Sequence, residues 1–138
     1  METKGRIIGI DYGKARTGIS VTDPMQIIVT GLNTIDTRDF DEFLKRYVET
    51  EHVVKVVFGK PLHKDGNPTY LWEEILKKVD NIKKIHPNIA IDFEDESLTS
   101  VEAKTILFQS KSKKNRRDKS LVDKVSAILI LQKYLGHI

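Results

Sequence analysis

Apolar residues in the first quarter of the chain follow the patterns of β-strands. Residues 6–12 (RIIGIDY) form a short apolar run bounded by glycines, which is typical of a strand buried on both faces. Residues 17–22 and 26–32 form two further runs, and the pair Asp23-Pro24 signals a turn between them. Because the connections are too short for crossovers, we expect these three strands to form an antiparallel meander.

Helical patterns alternate with strand patterns along the rest of the chain. Apolar spacing, helped by capping boxes, predicts four helices, at residues 39–50, 69–85, 99–109 and 120–135. Short apolar runs predict two more strands, at residues 53–58 and 90–94. We expect Asp39 to cap the first of these helices and Ser120 to open the last. Helices between the later strands imply right-handed crossovers that join parallel strands.

The predicted order of elements is typical of an α/β domain. We expect a mixed five-stranded sheet, made of a three-stranded antiparallel meander plus two parallel strands, with helices on its faces and the first strand in the centre. This is the arrangement of the ribonuclease H fold. A chain of 138 residues, 39% of them hydrophobic, has material for one core, so we expect residues 1–138 to form a single domain.

Composition excludes several classes of protein. The chain has no cysteine, which rules out disulfide bonds, thiolate metal sites and a cysteine nucleophile, and agrees with a reducing cytoplasm. No segment approaches the ~18 uncharged apolar residues of a membrane span. The four histidines are scattered without metal-site spacing, and no serine lies in a GxSxG motif. We therefore expect a cytoplasmic protein without a membrane partner.

The positive charge of the chain is concentrated in one segment. Residues 111–119 (KSKKNRRDK) hold six basic residues and one acidic residue, whereas the rest of the chain holds 17 basic and 19 acidic residues. A basic block of this kind binds phosphate when it is held near a site, and it is otherwise a solvated loop. The charge pattern alone leaves both interpretations open.

Asp11 is the first candidate for chemistry, because it ends the first predicted strand. A carboxylate buried there without a partner is costly, so the side chain must meet a partner, a metal ion or solvent. Gly13 and Gly18 flank it and allow the backbone to turn tightly and to approach a ligand. The alternative is a turn-forming aspartate without a catalytic role.

Acidic residues also cluster where the last predicted strand ends, at Asp92, Glu94, Asp95 and Glu96. Strand alternation places Asp95 on one face and the other three acids on the opposite face. If the strand ends at Glu94, this periodicity does not choose between Asp95 and Glu96. Such a cluster is useful around a divalent cation, and it is equally typical of a solvated acidic loop.

Asp123 is the third acidic candidate, and it lies in the first turn of the last predicted helix. A carboxylate there interacts with the positive end of the helix dipole, which explains the residue without any function. A capping role does not explain why Asp123 occurs together with Asp11 and Glu96, since each of the three lies at the end of a core element. Oxygen ligands from three elements suit Mg²⁺ or Mn²⁺.

Four segments of the chain resemble the motifs of one protein family. They follow in the family's order and span nearly the whole chain: GIDYGKARTGISVTDP, VVFGKPLHKDG, DESLTSVEA and LVDKVSAILILQKYL. In these segments the chain resembles the YqgF (RuvX) family, described as Holliday-junction-resolvase-like proteins and as pre-16S rRNA processing nucleases. The resemblance implies that the catalytic acids are Asp11, Glu96 and Asp123, and it selects Glu96 over its neighbour Asp95.

The resemblance implies a metal-dependent nuclease that cleaves structured RNA and processes the 5′ end of pre-16S rRNA. Asp11, Glu96 and Asp123 would hold one or two Mg²⁺ or Mn²⁺ ions. Basic residues would hold the nucleic-acid backbone, namely Lys14, Arg16, Lys60, Lys113, Lys114, Arg116 and Arg117. The expected partner is nucleic acid, with the ribosomal small-subunit precursor as a further candidate. The expected oligomeric state is a monomer or a weak dimer.

Two residues depart from the family pattern, and two other functions remain open. Ser97 stands where the family usually has arginine, and Lys60 replaces the usual leucine. One alternative is a Holliday junction resolvase, which would use the same acids on branched DNA. The other is a catalytically idle module that binds RNA or the ribosome, and Ser97 gives this reading some weight. An actin-like ATPase is disfavoured, because that fold needs two such domains.

Overall fold

The computed structural model of the chain describes residues 4–61, 70–95, 105 and 119–138. The strands in this part are β1 (Arg6–Asp11), β2 (Arg16–Thr22), β3 (Val29–Gly31), β4 (Ile35–Asp36), β5 (Val53–Lys60) and β6 (Ala90–Asp95). A 3₁₀ turn at Thr37–Asp39 leads into helix α1 (Phe40–Thr50), and the two further helices are α2 (Leu71–Ile85) and α3 (Lys119–Tyr134). The predicted helix at 99–109 lies outside the described residues except for Thr105, which is helical.

β1 lies in the centre of a mixed sheet with the strand order β3-β2-β1-β5-β6, and β4 pairs with β2 outside this path. The β1–β2 and β2–β3 pairs are antiparallel, whereas the β1–β5 and β5–β6 pairs are parallel. The structure therefore confirms the predicted meander, the two parallel strands and the central position of the first strand. This topology is that of the ribonuclease H fold.

Two details of the meander differ from the prediction. The sheet gains a sixth strand because the two-residue β4 pairs with the start of β2, and so short a ladder leaves no periodic pattern in the sequence. β3 begins at Val29 rather than at residue 26. The reason is a turn, in which the Asp23 carboxylate accepts hydrogen bonds of 2.7 Å from the backbone N–H groups of Ile27 and Ile28.

The expected N-cap position of Asp39 is confirmed without a capping hydrogen bond, and the expected start of the last helix at Ser120 is wrong. Asp39 lies at the N-cap position of α1, but its side chain makes no capping hydrogen bond. The backbone N–H of Phe40, the first residue of α1, donates to the Thr37 carbonyl of the preceding 3₁₀ turn. Ser120 lies inside α3, which includes Lys119, so Ser120 does not open this helix.

Helices cover the two faces of the sheet. α1 and α2 pack on one face, here called the α1/α2 face, over a large core that includes Ile8, Ile10, Phe40, Phe58 and Ile75. Helix α3 packs on the other face, here called the α3 face, over a smaller cluster of Ile7, Val57, Ile130 and Leu131. The last helix is buried only in its central turns, less than its apolar pattern predicts. Among the described residues, no helix combines the length and apolarity needed to span a bilayer.

Candidate functional site

Asp11 ends the central strand β1 and lies on the α3 face. Ile8 and Ile10 of this strand belong to the core on the α1/α2 face, so alternation places Gly9 and Asp11 on the other face. The packing at Gly9 agrees with this, because a Cβ atom there would lie 2.5 Å from Leu131 Cγ of α3. The carboxylate is thus half-buried at the end of the sheet, under α3.

Gly18 brings the backbone of α3 next to Asp11. It is the partner of Asp11 in the antiparallel β1–β2 ladder, which places their Cα atoms roughly 4.5–5.5 Å apart. A Cβ atom at Gly18 would collide with the backbone carbonyl of Asp123. Two of the three predicted catalytic acids therefore lie on either side of one glycine.

Two hydroxyl groups hold α3 in this position through its backbone carbonyls. Ser20 Oγ of β2 donates to the Ala127 carbonyl at 2.6 Å, in a buried contact. Thr34 Oγ1 donates to the Ser120 carbonyl, also at 2.6 Å. Since the two bonds lie on either side of Asp123 along the helix, they fix where its carboxylate lies relative to β2.

Arg16 contacts Asp123 directly. Its Nε donates to Asp123 Oδ2 at 2.7 Å, and the two side chains are 41% and 21% exposed. The guanidinium offsets the repulsion between Asp123 and Asp11, which are like charges on the two sides of Gly18. The sequence predicted a phosphate contact for Arg16, and in the structure its Nε binds a carboxylate of the site.

Asp92 of β6 forms a hydrogen bond with Tyr134 at the other end of α3. Its Oδ2 accepts a 2.5 Å hydrogen bond from the Tyr134 hydroxyl, and this hydroxyl accepts one from Lys55 Nζ at 2.8 Å. The Tyr134 hydroxyl, followed by the backbone N–H of Phe93, holds the pKa of the Asp92 carboxyl below its ordinary value. Asp92 therefore anchors the end of α3.

Glu94 is the described acid of β6 that lies level with Asp11. By strand alternation, Glu94 lies on the α3 face, as does Asp92 two residues earlier. The register pairs Phe58 of β5 with Ile10 on one side and with Phe93 on the other. The next residues along these strands, Asp11 and Glu94, therefore lie at the same end of the sheet, about 10 Å apart across two strand spacings.

Neither of the remaining acids of this segment places a described carboxylate on the α3 face. Asp95 ends β6, is exposed, and lies on the face opposite to Glu94 by strand alternation. Glu96, the third predicted catalytic acid, lies outside the described residues, as does Ser97.

The predicted nucleic-acid contacts lie in different places. Lys14 is exposed in the loop of residues 12–15 between β1 and β2. Lys60 ends β5 on the α1/α2 face, where its Nζ lies 5.2 Å from the centroid of the Trp72 ring, so it is on the far side of the sheet from Asp11. The other four lie outside the described residues: Lys113, Lys114, Arg116 and Arg117.

The donor chemistry at this end of the sheet fits a divalent cation. Asp11 and Asp123 supply carboxylate oxygens, which Mg²⁺ and Mn²⁺ prefer as ligands. Within residues 4–61, 70–95, 105 and 119–138, no group of three or more histidine, aspartate or glutamate side chains could hold a metal ion.

The hydroxyl groups that position these acids could not be predicted from the sequence. Ser20 stands between the buried aliphatic residues Ile19 and Val21 of β2. A hydroxyl inside such a run must find a hydrogen-bond partner, and this signal indicates a buried polar contact. The pattern does not name the partner, which here is a carbonyl of α3.

The chain is similar to nuclease relatives over most of its length. The RuvX family model, described as Holliday junction resolvase, matches residues 5–137. A Phocaeicola vulgatus protein named "Putative pre-16S rRNA nuclease" is 42% identical over 131 residues, which cover 94% of each chain. A protein of the same name from Flavobacterium psychrophilum is 44% identical over 131 residues, 94% of this chain and 96% of its own.

Two solved structures share the fold at low sequence identity. The fowlpox virus Holliday junction resolvase has a TM-score of 0.58 at 10% identity, over 96% of this chain and 99% of its own. RuvC of T. thermophilus, in complex with Holliday junction substrate, has a TM-score of 0.56 at 14% identity, over 95% and 96%. These likenesses support the ribonuclease H-like fold. Since the family match spans residues 5–137 and two relatives exceed 40% identity, the chain belongs to the RuvX family of nucleases.

Proposed function

We propose that the chain is a metal-dependent nuclease that hydrolyses phosphodiester bonds of structured RNA and processes the 5′ end of pre-16S rRNA. The observation that carries the proposal is the placement of Asp11 and Asp123 on either side of Gly18. The name of the relatives at 42% and 44% identity supports the choice of substrate. In this proposal residues 1–138 act as one nuclease domain.

Three carboxylates carry the metal chemistry in this proposal. Asp11, Glu96 and Asp123 would hold one or two Mg²⁺ or Mn²⁺ ions, which activate a water molecule and stabilise the leaving oxygen. Without a cation the carboxylates repel one another and the phosphate, so cleavage depends on added metal. Arg16 keeps the Asp123 carboxylate oriented through its 2.7 Å contact.

Basic side chains would hold the RNA backbone beside the acids. Lys14 is the best placed of those described, because it is exposed in the loop that directly follows β1. Lys60, on the far face, would reach only a flanking part of the strand. The basic block would add four contacts, from Lys113, Lys114, Arg116 and Arg117. Phosphate contacts position the strand without reading its sequence, so binding weakens steeply with salt.

The test compares cleavage of a 5′-extended 16S rRNA precursor with cleavage of a mobile four-way DNA junction. Each substrate is incubated with Mg²⁺, with Mn²⁺ and with EDTA. The proteins are the wild type, Asp11→Asn, Asp123→Asn and, as a matched control, Asp80→Asn. Asp80 is an exposed acid of α2, which packs on the opposite face of the sheet.

We expect metal-dependent cleavage of the RNA by the wild type and by Asp80→Asn, and none in EDTA. Asp11→Asn and Asp123→Asn should lose cleavage, because each removes a carboxylate that would bind the ion, while RNA binding stays largely intact. Cleavage retained by Asp123→Asn would overturn the assignment of the site.

A Holliday junction resolvase is the second candidate, favoured by the description of the matching family. The same acids would cut branched DNA. Because a four-way junction has two-fold symmetry, its resolution needs two symmetric cuts and hence normally a dimer. Paired cuts on the junction alone, together with a dimer in light scattering, would move the conclusion to this function.

Binding without cleavage would instead indicate an idle site. Ser97, which replaces an arginine of the family pattern, is then the residue to change first. Recovery of cleavage by Ser97→Arg would show that the missing guanidinium is the cause.

A further inference from the structure

The loop of residues 12–15 is held from outside by Thr37. Thr37 Oγ1 donates a 2.6 Å hydrogen bond to the Gly13 carbonyl, and the Thr37 backbone N–H donates to the Ala15 carbonyl at 3.0 Å. Thr17 Oγ1 lies 2.8 Å from Thr37 Oγ1. A hydroxyl carries a single proton, so Thr37 donates it to Gly13 and accepts a hydrogen bond from Thr17. Both threonines are buried.

These contacts fix the backbone on both sides of Lys14. Its neighbours Gly13 and Ala15 are the two residues whose carbonyls accept hydrogen bonds from Thr37. Breaking a part-buried hydrogen bond of this kind leaves a polar group without its partner, which is unfavourable. The loop is therefore held in one conformation before any ligand arrives.

Lys14 is the cation of this loop that can meet a phosphate. Its side chain is exposed, and no ion pair within the described part of the chain involves it. The guanidinium of Arg16, at the far end of the loop, is bound to Asp123 instead. A binding group on a preorganised loop loses less conformational entropy when its ligand arrives.

We propose that Thr37 is a positioning residue for nucleic-acid binding. Its hydroxyl and its backbone N–H hold the loop of residues 12–15 so that Lys14 contacts the phosphate backbone close to Asp11. The inference rests on the proposed nuclease function, because it takes nucleic acid as the ligand.

The first test uses three variants of buried threonines. Thr37→Val removes the hydroxyl but keeps the shape, and Thr37→Ser restores the hydroxyl. Thr22→Val is the matched control, because Thr22 is a buried threonine of β2 at the end away from the loop. Its hydroxyl accepts from the Ile7 N–H and donates to the Asp23 carbonyl, both at 2.9 Å, so its loss should cost comparable stability.

Binding is measured by fluorescence anisotropy with labelled 16S rRNA precursor and with the labelled DNA junction, in EDTA and low salt. EDTA prevents metal-dependent cleavage during the measurement. We expect Thr37→Val to weaken binding about fivefold, since the loop must then be ordered on binding. Thr37→Ser and Thr22→Val should stay within about twofold of the wild type. Equal weakening by Thr37→Val and Thr22→Val would overturn the inference.

A double-mutant cycle tests whether Thr37 acts through Lys14. Lys14→Ala should weaken binding, and Thr37→Val should add less than about twofold in the Lys14→Ala background. If Thr37→Val weakens binding in that background as much as in the wild type, Thr37 does not act through Lys14. Unchanged binding by Lys14→Ala alone would contradict the proposal in the same way.

Hydrogen exchange on the wild-type protein gives a test that needs no variant. If Thr37 holds the loop, the backbone amide of Thr37, which donates to the Ala15 carbonyl, is already protected before nucleic acid is added. Fast exchange of this amide that slows only after RNA is added would contradict the inference. The proposed nuclease function is judged separately, by metal-dependent cleavage by the wild type, so the two can fail independently.

Discussion

The two faces of the sheet are built from different kinds of side chain. On the α1/α2 face, aromatic rings contact one another in a continuous series, with centroid distances between 5.1 and 6.4 Å, through Tyr12, Phe40, Phe58, Phe93 and Trp72. On the α3 face, side chains are small where the helix crosses β1 and β2, at Gly9, Gly18 and Ser20.

The α1/α2 face therefore contributes mainly to stability, whereas the α3 face positions the acids. Aromatic rings bury large apolar areas and contribute most to the free energy of folding. Glycines and a serine contribute little burial, but they let the backbone of α3 approach the sheet closely and bind it through carbonyl groups. The acids Asp11 and Asp123 lie on the second face, where positions are set by backbone contacts.

Truncation of an aromatic residue should have the largest effect on stability. Phe58→Ala removes a fully buried ring that contacts Phe40 and Phe93, and it should lower the free energy of unfolding by about 3–5 kcal/mol. Urea denaturation measures this loss, with Ile7→Val on the α3 face as the smaller comparison, at about 1 kcal/mol. A cost for Phe58→Ala of about 1 kcal/mol or less would contradict the stabilising role of the aromatic series.

Gly18→Ala should harm cleavage more than it harms stability. The added Cβ atom collides with the Asp123 carbonyl, so we expect a loss of about 1–3 kcal/mol from overpacking. Because α3 must shift, the Asp123 carboxylate moves, and a displacement of about 1 Å can reduce the cleavage rate roughly 100-fold.

The control for this prediction is Gly136→Ala. Gly136 has a positive φ of 75°, but a Cβ atom there meets nothing within 4 Å. The variant should lose about 1 kcal/mol through backbone strain and keep its cleavage rate. Equal cleavage by the two variants in a metal-dependent assay would show that the close contact at Gly18 does not position Asp123.

Ser126→Ala should stabilise the protein. Ser126 is 1% exposed, and its Oγ has no hydrogen-bond partner among the described residues. Removing an unsatisfied hydroxyl from a helix and replacing serine by a better helix former should raise the free energy of unfolding by about 1 kcal/mol. Ser20→Ala is the opposite case, because its hydroxyl binds the Ala127 carbonyl. A loss of stability by both variants would indicate that the Ser126 hydroxyl has a partner.

The smallest effect is the pH dependence at the far end of α3. The Tyr134 hydroxyl lowers the pKa of Asp92 below its ordinary value of 3.8. The bond therefore contributes stability above about pH 4, and this contribution is lost as the pH falls through the lowered pKa. Because Asp92 is exposed, the contribution should be below about 1 kcal/mol.

Tyr134→Phe removes this contribution. The difference in unfolding free energy between wild type and Tyr134→Phe should shrink as the pH is lowered from about 6 to 2. In an Asp92→Asn background the same substitution should show no such pH dependence. A difference that grows at acid pH would contradict the assigned direction of the pKa change.

Most of the strands could be predicted because their signals are local. The apolar runs at 6–12 and 53–58 are continuous, as expected for strands buried on both faces. The start of β3 could not be predicted, because it depends on hydrogen bonds from Ile27 and Ile28 to the Asp23 carboxylate. In this turn a side chain replaces the backbone pairing that the apolar pattern suggests.

The candidate site was predictable only in part. Asp11 and Asp123 could be identified as candidates because each stands at the end of a strongly patterned element. The ion pair between Arg16 and Asp123 joins residues at opposite ends of the chain, and an exposed arginine carries no mark of its partner. Thr37 likewise has no distinguishing feature in the sequence, because its hydrogen bonds to the loop of residues 12–15 join separate parts of the chain.

The amino-acid sequence by itself determined where apolar residues recur, and thereby most of the strands, the helices α1, α2 and α3, and the central place of β1. These follow from burial, which acts on each residue through its own side chain. Only the tertiary structure decided that Gly18 lies between the two acids, that Arg16 binds Asp123 and that Thr37 holds the neighbouring loop. Such contacts depend on how separate elements dock, and close packing of backbone atoms leaves no periodic pattern along the chain.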